Sequence, residues 1–463
     1  MANGTIYVRA DGSIDPPTAA ISTAGNITYV FTGDFNDSIV IERDNILVDG
    51  AGFKVQGNGT GKGISLTQRT NVTIKNTTIK DFAYGIWLNQ SANNRILEND
   101  IASNTTQMNN YGVRLEFSTD NVISGNNITG NRFSLALTSH SSNNIIAGNN
   151  VRSSIYGIAL EDSQNNTIAG NRIAHNMFGT FLFSSADNNQ VCEGNVIAGN
   201  SQSGIQIVSS TGNLVHKNNL TANSEDGVFL DSSTGNSVVE NYIRGNKYGV
   251  RAYSSLGNFV FHNSLVANMQ QVQVVNSSFN QWDDGSISGG NYWSDHLGAD
   301  TNHDGISEFP YTIDAVNVDN YPLKGMFLTF NTSRNQPTIV VSNSTIKQFR
   351  YDETNRTITM TVSNSSSTQS FGFCRMCIPK NLIPPPYTVV IDGGSTAVTD
   401  FNGELHDNST HRWIYFAYQH SIHEVVIIPE FLYALLLPLC MIATLLTVKV
   451  RKRRACVIAQ LEQ

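Results

Sequence analysis

Side chains able to do chemistry are sparse in this chain and gather in a few places. The segment Asp300-Thr301-Asn302-His303-Asp304-Gly305-Ile306-Ser307-Glu308 sets side-chain oxygens at positions 1, 3, 5 and 9, with Gly at 6. Hard oxygen ligands at alternate positions, a sharp Gly turn and the backbone carbonyl of Ile306 at position 7 are what Ca²⁺ requires. Asp300, Asn302, Asp304, Ile306 and Glu308 are therefore expected to hold a structural Ca²⁺. Tyr311 stands where a bidentate Glu would complete the set, and Asp314 is the nearest substitute. The plainer alternative is an Asx-rich turn without metal.

Three acidic residues, Glu116, Glu161 and Asp162, are weak candidates for acid–base catalysis on a polysaccharide. Two more residues, Cys192 and His216, are weak candidates for copper, which takes thiolate and imidazole ligands; His262 lies further on. No His-x-His or Met-x-x-Met accompanies them. Cys374 and Cys377 form a C-x-x-C, but in strand-like sequence odd spacing sends the two sulfurs to opposite faces.

What positions all of these is a phrase of 22–24 residues, N-x-x-x-x-N-x-I-x-x-N-x-x-G-[IV]-x-L-x-x-S. One inner Asn recurs as Asn99, Asn126, Asn149, Asn171, Asn195, Asn218, Asn241 and Asn263. A second recurs as Asn104, Asn131, Asn176, Asn200, Asn223, Asn246 and Asn268, with Ser154 the single substitution. The Gly of the phrase is broken once, by Ser134. The Ser recurs as Ser91, Ser118, Ser163, Ser185, Ser210, Ser233 and Ser255, broken by His140. A fixed period of this length marks a stacked architecture.

Alternation of apolar and polar residues gives the period of a strand, and no amphipathic helix fits between phrases. The reading is a parallel coil of about three short strands per turn, each coil bonded to its neighbours at about 4.8 Å. Asn suits the corners: it tolerates a left-handed backbone, and its amide bonds the same amide one coil away. The position after the Leu reads Thr67, Asn89, Glu116, Thr138, Glu161, Phe183, Val208, Asp231 and Tyr253. Glu116 and Glu161 then lie two coils apart, on the order of 9–10 Å, a separation that suits an inverting glycosidase. Thr138 intervenes, and solvated surface carboxylates are the commoner explanation. Trp87, Phe181, Phe229 and Tyr253 should point outward and would stack on sugar rings.

The expected organisation is an N-terminal cap at 1–38, a β-helix of roughly ten or more coils at 39–275, and a C-terminal cap with the calcium-like loop at 276–325. A small antiparallel β-sandwich follows at 326–424 as a stalk, separated into strands by turn signals. Phe431 to Val448 is an uncharged apolar run long enough to span a bilayer, followed by Lys449, Arg451, Lys452, Arg453 and Arg454. A transmembrane helix over 429–450 with a basic cytoplasmic tail at 451–463 places the rest outside the cell. Sequons such as Asn26-Ile27-Thr28 and Asn408-Ser409-Thr410 agree with that placement. No signal peptide opens the sequence, which we read as a truncated start. A net charge of −8 without a basic stripe argues against nucleic acid.

The chain resembles the NosD-type right-handed parallel β-helix proteins, a family whose name carries periplasmic copper binding and which is related to carbohydrate-binding and sugar-hydrolase β-helices. The resemblance rests on Asp44 to Gly52, Tyr84-Gly85-Ile86-Trp87-Leu88, Gly290 to Asp295, Tyr311 to Asp314 and Tyr321-Pro322-Leu323. The block is similar to archaeal versions, in which Gly372-Phe373-Cys374-Arg375 and Ile428-Pro429-Glu430-Phe431 before a span recur. Pro429-Glu430-Phe431, span and basic tail resemble signals cut by archaeal sortase-like enzymes, implying processing by such a partner. The name implies copper, yet no copper ligands carry over. Fold transfers on such grounds and activity does not. The expectation is an all-β, membrane-anchored surface protein that binds or scaffolds carbohydrate, most simply extracellular polysaccharide, without catalysis. A β-helix lyase, hydrolase or epimerase is the first alternative, and NosD-like copper delivery the second.

Overall fold

The computed structural model describes residues 4–103, 110–332, 336–364, 369–400 and 407–430. Two compact units divide it, residues 1–328 and the remainder. The first is a right-handed-type parallel β-solenoid of about eleven coils. Its strands form three sheets, of thirteen strands from Ile14–Asp15 to Gln270–Val275, twelve from Ile21–Ala24 to Phe259–Phe261, and eleven from Lys54–Gln56 to Tyr292–Trp293. Parallel pairing begins at Thr5–Val8 with Ser38–Ile41 and at Thr28–Phe31 with Ile46–Asp49.

Register is strict. Ile86 pairs with Val113, Val113 with Leu135 and Leu135 with Ile158, so like side chains stack into apolar columns. Those columns are the core, and nearly all their members have no solvent exposure. A narrow core also explains the Gly of the phrase. A Cβ on Gly85 would lie 2.5 Å from the carbonyl oxygen of Gly112 and 2.7 Å from a methyl of Ile101. The coils approach too closely there for any side chain, and φ is not the reason.

Asn ladders run along the rod from the coil of Asn94 and Asn99 onward. Along the first inner column, the amide oxygen of Asn126 accepts from both the backbone N–H (2.9 Å) and the Nδ2 (3.0 Å) of Asn99, and the pattern repeats coil by coil to Asn291. The opening Asn of the phrase builds another, from Asn94 and Asn121 to Asn280. Buried backbone donors at the corners thus find fixed acceptors. The left-handed backbone, however, belongs to the residue before each ladder Asn: Glu98, Gly125, Gly148, Gly170, Lys217, Glu240 and His262. Bonding and turning are separate jobs held by adjacent residues, which corrects the expectation that Asn does both.

The Ser column needs a second correction. Ser118 donates its backbone N–H to Ser141 Oγ, and Ala186 donates to Ser210 Oγ. His140 and Ser185 are extra residues at φ 61° and 65°, inserted one place before the column. The column is therefore continued by Ser141 and interrupted at Ala186.

The second unit contains two five-stranded antiparallel sheets. Val340, Cys374, Met376 and Ile414 of one sheet and Ile358, Met360, Val389 and Val425 of the other form a single core. Cys374 points into that core, its thiol against Ser342 Oγ at 3.5 Å; it and Cys377 are both buried and unbonded to each other. Burial pushes the two thiols up to about 11 and about 12. Among the described residues no helix is long and apolar enough to cross a membrane. The expected span from Phe431 to Val448 and its basic tail lie outside the described residues, as does most of the loop from Asn104.

Candidate functional site

The outer face of the thirteen-stranded sheet carries the most organised set of side chains. Along each six-residue strand, the first, fourth and sixth residues point away from the core, so each coil adds one residue to each of three outward rows. The first row holds Tyr84, Tyr111, Phe133, Tyr156 and Phe178. Their rings are stacked at centroid spacings of 5.3, 4.9, 4.6 and 5.3 Å, within 11° of parallel. Ring spacing matches coil spacing, so strand geometry alone imposes the stack. Phe181 of the middle row extends it, 5.5 Å from Tyr156 and 4.7 Å from Phe183.

The aromatic row is flanked by charge. Lys62 sets its ammonium 3.0 Å from the centre of the Trp87 ring, and Trp87 Nε1 donates to Glu116 at 3.3 Å. Arg114 reaches the same carboxylate at 3.4 Å and lies 4.8 Å from the Tyr111 ring centre. Burial lowers the pKa of Lys62, with Glu116 opposing and Arg114 assisting; burial likewise raises that of Tyr111. Between the rows the floor is made of small residues, Ala136 and Ala159.

Glu116 and Glu161 fall in one row with Thr138 between them, as the spacing of the phrase requires. Their surroundings differ: Glu116 is half-buried and tied to Trp87 and Arg114, whereas Glu161 is exposed. Asp162 does not join them. It turns the corner at φ 46° and pairs with His140 at 3.2 Å. Of the outward aromatics expected from the sequence, Phe229 lies under the Arg251 guanidinium at 4.1 Å, and Tyr253 is 45% exposed.

Two features of this face were missed in the sequence. The ring row itself occupies the residue just before the Gly column from Tyr84 to Phe178, with Ser134 standing for Gly after Phe133, a position whose aromatic content is plain once aligned. The other is Asp226, fully buried although its row points outward. Arg251 folds over it at 2.6 Å and Ser203 donates to it at 2.8 Å. Burial raises the Asp226 pKa, and the bonds from Ser203 and Arg251 counter it.

The metal candidates are placed as follows. Cys192 and His216 follow the paired Val191 and Val215 on adjacent strands. Cys192 is buried, which raises its thiol pKa, while His216 sits between Glu193 at 4.0 Å and Glu240 at 3.4 Å. His262 is elsewhere, stacked on Phe327 at 4.0 Å. One thiol and one imidazole flanked by carboxylates do not make the converging set of soft and imidazole donors that copper takes. In the calcium-like loop, Asp300 accepts the backbone N–H groups of Asp304 and Gly305, each at 2.9 Å, and Glu308 accepts those of Thr301 and Asn302. Asp304 accepts from Ile306 N at 2.8 Å and from Asn302 Nδ2 at 3.3 Å. Burial raises the Asp300 pKa, and the neighbouring Asp304 and Glu308 add to it. No cluster of three or more His, Cys, Asp or Glu able to hold a metal ion occurs among the described residues.

No curated protein matches the chain. Among solved structures it is similar to a mutant of the periplasmic alginate epimerase AlgG, at 17% identity and TM-score 0.42 over 55% of this chain and 78% of that one. It is similar to the Dettilon tailspike protein at 13% identity and TM-score 0.39, over 85% and 88% of the two chains. The A-module of the mannuronan C-5 epimerase AlgE6 of Azotobacter vinelandii matches at 14% identity and TM-score 0.37, over 55% and 88%. Residues 35–193 and 179–298, together more than half of the chain, match one sequence family. The chain belongs to the family described as Periplasmic copper-binding protein (NosD).

Proposed function

We propose that this protein binds extended polysaccharide along the outer face of the thirteen-stranded sheet, without catalysis. The observation that carries the reading is the register of the face. A hydrophobic ridge of Tyr84, Tyr111, Phe133, Tyr156 and Phe178 runs beside a row of Asn89, Glu116, Thr138 and Glu161, both repeating at the coil spacing. A ligand matched to such a surface is itself a repeat. Sugars offer an apolar C–H face and a rim of hydroxyls, which suit the ridge and the polar row respectively. Each ring within the stack already has both faces occupied, so it presents its edge, and affinity must build from many weak contacts.

Catalysis is not part of the proposal. The two carboxylates are separated by Thr138, and Glu116 is held by Trp87 and Arg114. Copper delivery, which the family name carries, finds no fitting donor set among the described residues. The same proposal places the rod outside the cell, held by residues 431–448, with the second unit as its stalk.

Affinity electrophoresis against a panel of neutral and acidic polysaccharides tests the reading. Retardation by at least one polymer, abolished in Tyr111→Ala and Tyr156→Ala, is expected. A protein that binds none of them, or binds equally well without those rings, overturns it. Turnover of any bound polymer that disappears in Glu161→Gln overturns the non-catalytic part alone.

A further inference from the structure

Cations beside the outer face of the thirteen-stranded sheet are matched with carboxylates at one end of the rod and mismatched at the other. Towards the C-terminal end, Lys247 pairs with Glu225 at 2.9 Å and Arg251 with Asp226 at 2.6 Å. Where the ring row begins, Lys62 and Arg114 share one carboxylate. Strand register gathers them: Lys62 pairs with Tyr84 one coil on, Trp87 of that coil pairs with Arg114, and Asn89 with Glu116.

The Lys62 ammonium rests on the Trp87 ring and makes no ion pair among the described residues. A ring face attracts a cation without neutralising it, so the charge remains available to an anion. Arg114 has five N–H donors to place. Its only side-chain acceptor is Glu116, at the long distance of 3.4 Å, and its buried Nε has none. A buried donor without an acceptor is rare enough to ask for a missing partner. Glu116 is itself shared, since it also accepts from Trp87 Nε1. Positive charge is therefore in excess at this end of the ring row.

Farther along the same face the sign reverses. Glu161 is exposed and meets no cation among the described residues, and Thr138, between it and Glu116, is uncharged. Arg114 and Glu161 stand two coils apart, about 9–10 Å along the rod.

We propose that Lys62 and Arg114 seat a carboxylate of the bound polymer, that of a uronic acid, and that the sugars laid over Thr138 and Glu161 are neutral. The inference rests on the polysaccharide reading above and narrows it to polymers that are acidic at intervals. A planar carboxylate matches the guanidinium fork, and the ammonium adds a second charge-assisted bond. Glu161 repels a further carboxylate, whereas its oxygens accept from sugar hydroxyls. Acid on every sugar sets like charges against each other at Glu161, and a neutral polymer leaves the excess positive charge unmet.

The test is affinity electrophoresis of the full chain in detergent with four probes: hyaluronan, which has a uronate on every second sugar, its carboxyl-reduced form, polygalacturonate and dextran. Hyaluronan is expected to bind most tightly, and less so as salt rises. Lys62→Met and Arg114→Gln should each weaken hyaluronan binding about tenfold. The same variants should leave any retardation by dextran unchanged and the melting temperature within a few degrees. Glu161→Gln should strengthen binding of polygalacturonate, a gain that damage to the fold does not produce. Reduced hyaluronan or dextran bound as tightly as hyaluronan, indifferent to Lys62→Met yet lost in Tyr156→Ala, would overturn the inference and leave the polysaccharide reading standing. Polygalacturonate bound best would overturn the spacing of charges. A protein that binds none of these or any other polymer overturns both.

Discussion

Asn291 closes the amide ladder that begins at Asn99, and its backbone N–H is taken by the carboxylate of Asp319 at 2.8 Å. The ladder from Asn99 to Asn291 thus ends on a buried carboxyl group, where a free end would strand a donor. Asp319 also accepts from Trp293 Nε1 at 2.8 Å and from Tyr321 N at 3.1 Å, so one side chain serves three donors from two segments of the cap. Gly290 is shaped by the same contact, since a Cβ there would collide with the carboxylate. Asp319→Ala leaves buried donors without acceptors and should cost about 3–5 kcal/mol, most of it desolvation. Chemical denaturation of the purified protein measures this; a loss under about 1 kcal/mol would remove Asp319 from the role of keystone.

The same residue predicts a pH dependence. Burial pushes Asp319 up to about 7, with the three N–H donors pulling the other way. A carboxyl whose folded pKa exceeds its unfolded value of about 4 binds its proton more tightly in the folded state. Its contribution to stability is therefore complete below about pH 4 and is lost as pH rises through about 7. The size is on the order of 4 kcal/mol at most. His262, whose pKa burial lowers, tilts stability the opposite way near the same range, so the informative quantity is a difference. Asp319→Asn should flatten the wild-type decline between about pH 4 and 7; parallel curves for the two proteins would refute the assignment.

Sequence periodicity revealed the coil, the core columns and the ladders, because each is a property of position within a repeat. It failed where the repeat is locally broken. Ser185 and His140 occupy the expected spacing only because an extra residue precedes the column, and spacing alone does not tell insertion from substitution. Asp226 fails for another reason: alternation correctly points it outward, but Arg251, one coil on, folds over and buries it. Side-chain reach of that kind has no signature in a pattern of apolar and polar positions. The ring row from Tyr84 to Phe178 was legible and lay one place before the Gly that drew attention.

Ser134 and Ser154 are the single breaks in the Gly and second Asn columns, and they touch: their hydroxyls lie 2.7 Å apart. Elsewhere a Cβ at the Gly position would approach the Asn amide, at 3.1 Å for Gly157 and Asn176. The shorter Ser154 makes the room that Ser134 needs, while still accepting from Asn131 N at 3.1 Å. Ser154→Asn alone should destabilise by overpacking, and Ser134→Gly alone by losing a bonded, buried hydroxyl, each by about 1–2 kcal/mol. Together they rebuild the ordinary coil and should be near neutral, a coupling of at least about 1 kcal/mol in a double-mutant cycle. Simple additivity would show the two breaks to be unrelated.

The loop from Asp300 to Glu308 carries three carboxylates; burial raises the Asp300 pKa, and the charges of Asp304 and Glu308 add to it. Lys324 offsets part of that charge: Asp300 and Glu308 raise its pKa against the lowering effect of burial, and its ammonium donates to Gly298 O. A hard divalent cation would offset the rest, using oxygens that backbone N–H groups already hold in place. Calorimetric titration with Ca²⁺ should therefore give a saturable heat, and the melting temperature should rise with the ion in proportion to the logarithm of its excess. Asp300→Asn should abolish both responses while leaving the bonds from Asp304 and Gly305 partly in place. Lys324→Met, which removes the resident cation, should lower stability without Ca²⁺ and enlarge the Ca²⁺-induced rise. An isotherm without heat, together with a melting temperature indifferent to Ca²⁺, would mean that Lys324 and the backbone donors suffice, and that the loop closes the rod without metal.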